Sequence, residues 1–339
     1  MTKASGDGGS MIDLHLHLDG ALSVDTAIAL AKMQKVTLPT YDRTELLHLL
    51  QAPDDCRDLN EYLERFDLPV LLMQTKETIS EAVYRVQEVL KEDGLIYAEL
   101  RFAPQQHTRN GLTQEEVVLA ALEGLHRSDF HANLILCCMR MQHNQAENME
   151  TIRLVHKYAG EGVVAADLAG AEALYPTEDF AAVFQYAGEI GVNFVIHAGE
   201  AAGADSVKAA MDFGAKRIGH GIHVLEDMSV MAELHDKKIP LEICVTSNLQ
   251  TKAVQKLADY PLRKLMDAGV LVTLNTDNPT VSNTTICREF KLVQNQLGFQ
   301  MEELKRMVFY AASCSFADAA WKELFKRQIA EGFESWIKS

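Results

Sequence analysis

The sequence predicts an α/β fold, a (β/α)₈ TIM barrel with a helical insertion after its first strand, on three observations. Eight short runs rich in aliphatic and β-branched residues recur along the chain, and amphipathic helical patterns separate them. Polar residues gather at the C-terminal ends of several of those runs, which is where a barrel collects its chemistry. The runs are nearly continuous in apolar residues, as parallel strands covered on both faces require.

The first run is MIDLHLH at 11–17. The interval from Ala21 to Gly94 then reads as helical insertion, and within it LNEYLERFDLPVLLM is placed to cover a site beneath. ISEAVYRVQEVLKEDG repeats apolar residues at three-to-four spacing, with Gly94 as its stop signal. LIYAELRF at 95–102, ANLILCCMR at 132–140, VVAADLAG at 163–170 and VNFVIHAGE at 192–200 supply the next four strands. RIGHG at 217–221, PLEICVTSN at 240–248 and VLVTLNTDN at 270–278 complete the eight. An open doubly wound sheet is the rival, but no GxGxxG follows the first strand and the polar ends are spread over several strands. MTKASGDGGS at 1–10 reads as a leader outside the fold, leaving 11–339 as one (β/α)₈ domain.

A net charge of −16 argues against a broad basic face for nucleic acid or anionic lipid and favours a small-molecule substrate. The sequence has neither an apolar run of the roughly 18 residues that suggest a membrane span nor a secretory pattern, so a cytoplasmic location is expected. Its six cysteines are scattered without a CxxC pair, and most read as small buried residues. Oligomeric state stays open.

Side chains two apart on a strand share a face, so His15 and His17 both look into the barrel. Two imidazoles in an apolar wall need partners, and a divalent cation satisfies both at once. His197 ends the fifth run, His220 the sixth and Asp277 the eighth, all at the same end of their strands. His15, His17, His197 and Asp277 make a donor set suited to one Zn²⁺ with room for a water, whose pKa the ion would lower. Glu200 and His220 remain for proton transfer, the first as donor to substrate and the second as acceptor from that water.

Taken in order, HLHLDGA at 15–21, DLAG at 167–170, HAGE at 197–200, GHGIH at 219–223, TSN at 246–248 and NTDNP at 275–279 closely resemble the adenosine deaminase family. The resemblance covers nearly the whole chain after the leader. It implies an amidohydrolase-type barrel with one catalytic zinc that converts adenosine, and 2′-deoxyadenosine, with water to inosine and ammonia. By that resemblance His15, His17, His197 and Asp277 hold the metal, Glu200 protonates N1, and His220 orients and deprotonates the water that attacks C6. On the substrate side, with His17, Asp19 contacts a ribose hydroxyl and the backbone amide of Gly170 contacts N3.

The chain departs from the pattern at two positions. Asn278 stands where many relatives carry a second aspartate; an amide NH₂ donates to the acceptor N7 at any pH, so Asn278 is expected to serve that contact. Ala171 replaces a common acidic residue, leaving Glu172 as the nearest carboxylate with no role read from the sequence.

Adenine deaminase is the nearest alternative, and Asp19 argues for the nucleoside because relatives acting on the free base tend to carry Glu there. A two-metal amidohydrolase is disfavoured because VVAADLAG offers no bridging lysine. Nucleotide deamination is disfavoured because the motif-bearing loops carry few cationic residues. A catalytically silent binding barrel would require a lost ligand or proton donor, and none is lost.

Overall fold

The computed structural model describes residues 10–338. Its eight strands are β1 (Met11–His17), β2 (Leu95–Phe102), β3 (Ala132–Met139), β4 (Val163–Ala169), β5 (Val195–Ala198), β6 (Arg217–His220), β7 (Leu241–Ile243) and β8 (Val272–Leu274). They form two parallel ladders, β1-β2-β3-β4 and β5-β6-β7-β8. At one seam Ala166 N donates to Asn193 O at 2.9 Å beside a bridge to Phe194. At the other His17 N donates to Asp277 O and Asp277 N to His15 O, both at 2.8 Å. These bonds close the barrel, and the second seam sets Asp277 against the HxH pair.

The later strands are shorter than the sequence suggests because polar groups take over their ladders. Asn275 Oδ1 accepts from Leu14 N at 3.0 Å, so a side chain replaces backbone pairing just beyond β8. PLEICVTSN, read as one strand, breaks after Ile243 into a helix at Val245–Gln250, with the Glu289 carboxylate accepting from Thr246 N at 3.2 Å. That break carries Asn248 on a helical turn rather than along a strand.

The insertion holds helices Val24–Gln34, Arg43–Leu50, Leu59–Leu63, Asp67–Leu72 and Lys76–Glu92. Ser23, Asp42, Asp58 and Thr75 cap four of them with side-chain oxygens on free backbone amides. Lys76–Glu92 buries Ile79, Ala82, Val83, Val86 and Leu90 on one face, the stripe its periodicity predicts. After β8, helices Ile286–Leu297, Met301–Cys314 and Ala319–Lys338 pack against the barrel with Phe325, Ile329 and Phe333 buried. No described helix is long and apolar enough to cross a membrane. The expected leader lies outside the described residues apart from Ser10, which is buried.

The barrel interior departs from aliphatic layering. Glu99 and Arg101 from β2, Asp167 from β4, Arg217 from β6 and Glu242 from β7 are all buried and joined in one network. Arg217 pairs with Glu99 and bonds Glu242 at 2.5 Å, while Arg101 reaches Asp167 and Glu242, both at 2.9 Å. Buried charges persist only when compensated, and here each cation faces two carboxylates.

Candidate active site

This network ends on the histidines. Glu242 Oε2 lies 2.8 Å from His15 Nδ1, and Asp167 Oδ2 lies 2.9 Å from His197 Nδ1. Burial would raise both carboxyls, but the arginines and imidazoles beside them outweigh it and hold both well below the usual carboxylate range. An ionised carboxylate only accepts, so each ring carries its proton on Nδ1 and turns an Nε2 lone pair inward. Arg101 ties the two carboxylates together. Replacing Arg101 with methionine leaves Asp167 without a guanidinium and is expected to cost about 3–5 kcal/mol of stability, read as a lowered denaturation midpoint.

The inward atoms converge. His15 Nε2 is buried without a hydrogen-bond partner, although Asp277 Oδ1 is only 3.2 Å away. His17 Nε2 lies 3.1 Å from His197 Nε2 and 3.4 Å from Asp277 Oδ1. Donor atoms of His15, His197, His220 and Asp277 all fall within 4.8 Å of one another, with His17 against that group. Imidazole nitrogens and a carboxylate drawn this closely together fit a shared cation.

His220 stands apart chemically. Asn248 Nδ2 lies 2.9 Å from its Nδ1, and Tyr260 OH donates to Asn248 Oδ1 at 2.7 Å, which fixes the amide with its NH₂ toward the ring. The His220 proton therefore sits on Nε2, which faces Glu200 Oε2 at 3.5 Å. Burial above all keeps this ring neutral, well below the usual imidazole range. Of the two overlapping sets, the one with His220 includes a ring whose inward nitrogen already carries its proton, and no partner fixes a proton on the inward nitrogen of His15 or His197.

Glu200 is buried in the turn after β5, with Thr251 Oγ1 donating to its Oε1 at 3.3 Å. Burial first, then the charges of Asp277 and Glu172, pushes its carboxyl up to about 8. It is therefore an acid at neutral pH. Asp19 is also buried, its Oδ1 has no partner, and burial pushes it up to about 6. Two positions of this cluster, His220 and Asp277, take a φ of +61°, the left-handed region that non-glycine residues occupy at a cost.

These groups open into one cavity of about 300 Å³. His17, His197, His220, Asp277 and Glu200 lie along it with Asp19, Gly170 and Asn278, and Leu59, Tyr62 and Phe66 of the insertion cover it. His15 is buried behind that lining. A Cβ on Gly20 would lie 2.0 Å from Asn278 Oδ1, so the glycine of HLDG makes the room in which Asn278 sits. Every residue given a metal, proton-transfer or substrate role in the sequence thus comes to this cavity or to the cluster at its floor. Sequence reasoning missed Arg101, Glu242, Asn248, Thr251 and any role for Asp167 or Glu172. The available signal was charge inside otherwise apolar strands, as in AELRF and LEI.

The family model for adenosine deaminase matches residues 11–332. An adenosine deaminase of Haemophilus ducreyi is 49% identical over 335 residues, covering 96% of this chain and 97% of that protein. One from Clostridium botulinum is 39% identical over 326 residues, covering 94% and 97%. Among solved structures, an adenine deaminase from Arthrobacter aurescens superposes with a TM-score of 0.87 at 28% identity, over 98% of this chain and 100% of that one. An Arabidopsis N6-mAMP deaminase gives 0.83 at 25% identity, over 96% and 98%. With matches that run nearly end to end in both directions, this chain belongs to the adenosine deaminase family.

Proposed function

We propose that the chain is a zinc-dependent hydrolase that deaminates adenosine, and 2′-deoxyadenosine, to inosine and ammonia. The observation that carries this reading is a buried Glu200 opening into the same cavity as the convergent histidines and Asp277. His15, His17, His197 and Asp277 would hold one ion per subunit. When bound, that ion supplies the Lewis acidity that makes water a nucleophile at neutral pH.

The protein groups do the rest. Glu200 gives its proton to N1 of the purine, drawing electrons from C6 where the water attacks. The sequence gives His220 two tasks, and the proton that Asn248 holds on its Nε2 favours orienting the water over deprotonating it. Asp19 accepts from a ribose hydroxyl with an oxygen that has no partner inside the protein. Gly170 N–H meets N3 and the Asn278 NH₂ meets N7, while the insertion over the cavity keeps bulk water out. The cytoplasm is the compartment we infer, supported by six unpaired cysteines, which a reducing environment keeps as thiols.

Asp19 decides between nucleoside and free base. Adenosine and 2′-deoxyadenosine should be turned over far better than adenine or AMP. Asp19→Ala should lower kcat/KM for adenosine about 10- to 100-fold, the worth of a hydrogen bond to a charged group, while barely changing the rate on adenine. Faster turnover of adenine than of adenosine in the unmodified protein would replace this reading with adenine deamination.

A further inference from the structure

Glu172, to which the sequence assigned nothing, is 2% exposed and makes four hydrogen bonds, all to the turn that carries Glu200 and the helix that follows it. Its Oε1 accepts from Gly199 N at 2.7 Å and from Ser206 Oγ at 2.5 Å. Its Oε2 accepts from Glu200 N at 3.0 Å and from Ala201 N at 2.7 Å. Three successive backbone N–H groups point to one side because Gly199 turns the chain at φ +69°. Such a row is an anion-binding concavity, and here a side chain of the same molecule fills it.

We propose that Glu172 is the positioning residue for the general acid: by gripping the amides of residues 199–201 it fixes the direction in which the Glu200 side chain leaves the backbone. The proposal rests on the role given to Glu200 above. The turn is held from its other side as well, since His223 N and Nδ1 both donate to Gly199 O at 3.1 Å. Behind Glu172 the support continues, with Ser206 Oγ 2.7 Å from Thr177 Oγ1 and Arg140 donating to Thr177 Oγ1 at 2.8 Å and to His197 O at 2.6 Å. The loop after β4 thereby sets the geometry at the end of β5. A carboxylate is suited to this place because both oxygens accept; glutamine would turn an NH₂ toward amide donors and open the turn. The charge of Glu172 also helps keep the neighbouring Glu200 protonated.

The test is a double-mutant cycle on the metal-loaded enzyme. Glu172→Gln should lower kcat about 10- to 100-fold, the scale of a small misplacement of a catalytic group, with KM for adenosine within about twofold. Metal content should be unchanged, and amide hydrogen exchange over residues 199–203 should speed up. Glu172→Asp, which keeps both acceptor oxygens, should recover most of kcat. In a Glu200→Gln background the same substitution should cost nothing further, because the group it positions is already disabled. Ser206→Ala removes one of the four bonds and gives a milder kcat loss of the same kind, which serves if Glu172→Gln does not fold. A normal kcat in folded Glu172→Gln overturns the proposal, as does an equal loss in the Glu200→Gln background or a loss confined to KM. If Glu200→Gln itself turns over normally, the acid assignment fails and this proposal falls with it; a collapse in Glu200→Gln alone sinks only the role of Glu172.

Discussion

Replacing Glu200 with glutamine is expected to lower kcat about 10²- to 10⁴-fold, the usual worth of a positioned general acid, while leaving adenosine binding nearly intact. Glutamine is close to isosteric and keeps the contact with Thr251 Oγ1 that the carboxyl makes at 3.3 Å, so the cavity holds its shape. What disappears is the transferable proton. In the unmodified protein burial and two neighbouring carboxylates hold that proton up to about 8, so the competent form fills the site at neutral pH. The sign follows directly: a raised carboxyl is protonated below its pKa, so kcat/KM should fall as pH rises through about 8. The residual rate of the glutamine variant should lack that limb. A pH-rate profile of both proteins checks the pair of statements, and unchanged turnover in the variant would remove Glu200 from the mechanism.

The second large effect concerns the cation. Stripping the protein with a chelator should abolish turnover, and zinc should restore it at one equivalent per chain. A bound ion also stabilises the fold by mass action, about 4 kcal/mol when free metal is 1,000 times Kd, so the stripped protein should melt at a lower temperature. The donors it would hold stand close together, with the Nε2 atoms of His17 and His197 3.1 Å apart and Asp277 Oδ1 3.2 Å from His15 Nε2. Metal analysis of two variants separates the overlapping ligand sets. His17→Ala should lose the metal and His220→Ala should keep it, because Asn248 leaves the inward nitrogen of His220 carrying a proton. The opposite outcome would exchange the roles of the two residues.

The barrel was legible because buried parallel strands must be apolar along their length, and that constraint leaves a mark in a single chain. β1 and β2 run over the same residues as the sequence predicts, Met11–His17 and Leu95–Phe102. Boundaries failed where side chains replace backbone partners, as at Asn275, or where a carboxylate far along the chain caps a helix, as Glu289 does beyond β7. The inward pair of histidines, the polar strand ends and the carboxyl group that ends HAGE were readable for a related reason: ionisable groups in apolar surroundings demand compensation, and their spacing along a strand fixes the side on which it must lie.

What the sequence determined by itself, then, was which elements form and which chemical groups they present at one end of the barrel, since both follow from local pattern and residue type. Tertiary structure alone decided how those groups are held. Arg101 joining Asp167 to Glu242, Asn248 choosing the His220 tautomer and Glu172 gripping the Glu200 turn are contacts between segments 28 to 141 residues apart. A carboxylate has no directional signature in sequence; it acquires one only when closure of the barrel brings its donors within hydrogen-bond reach.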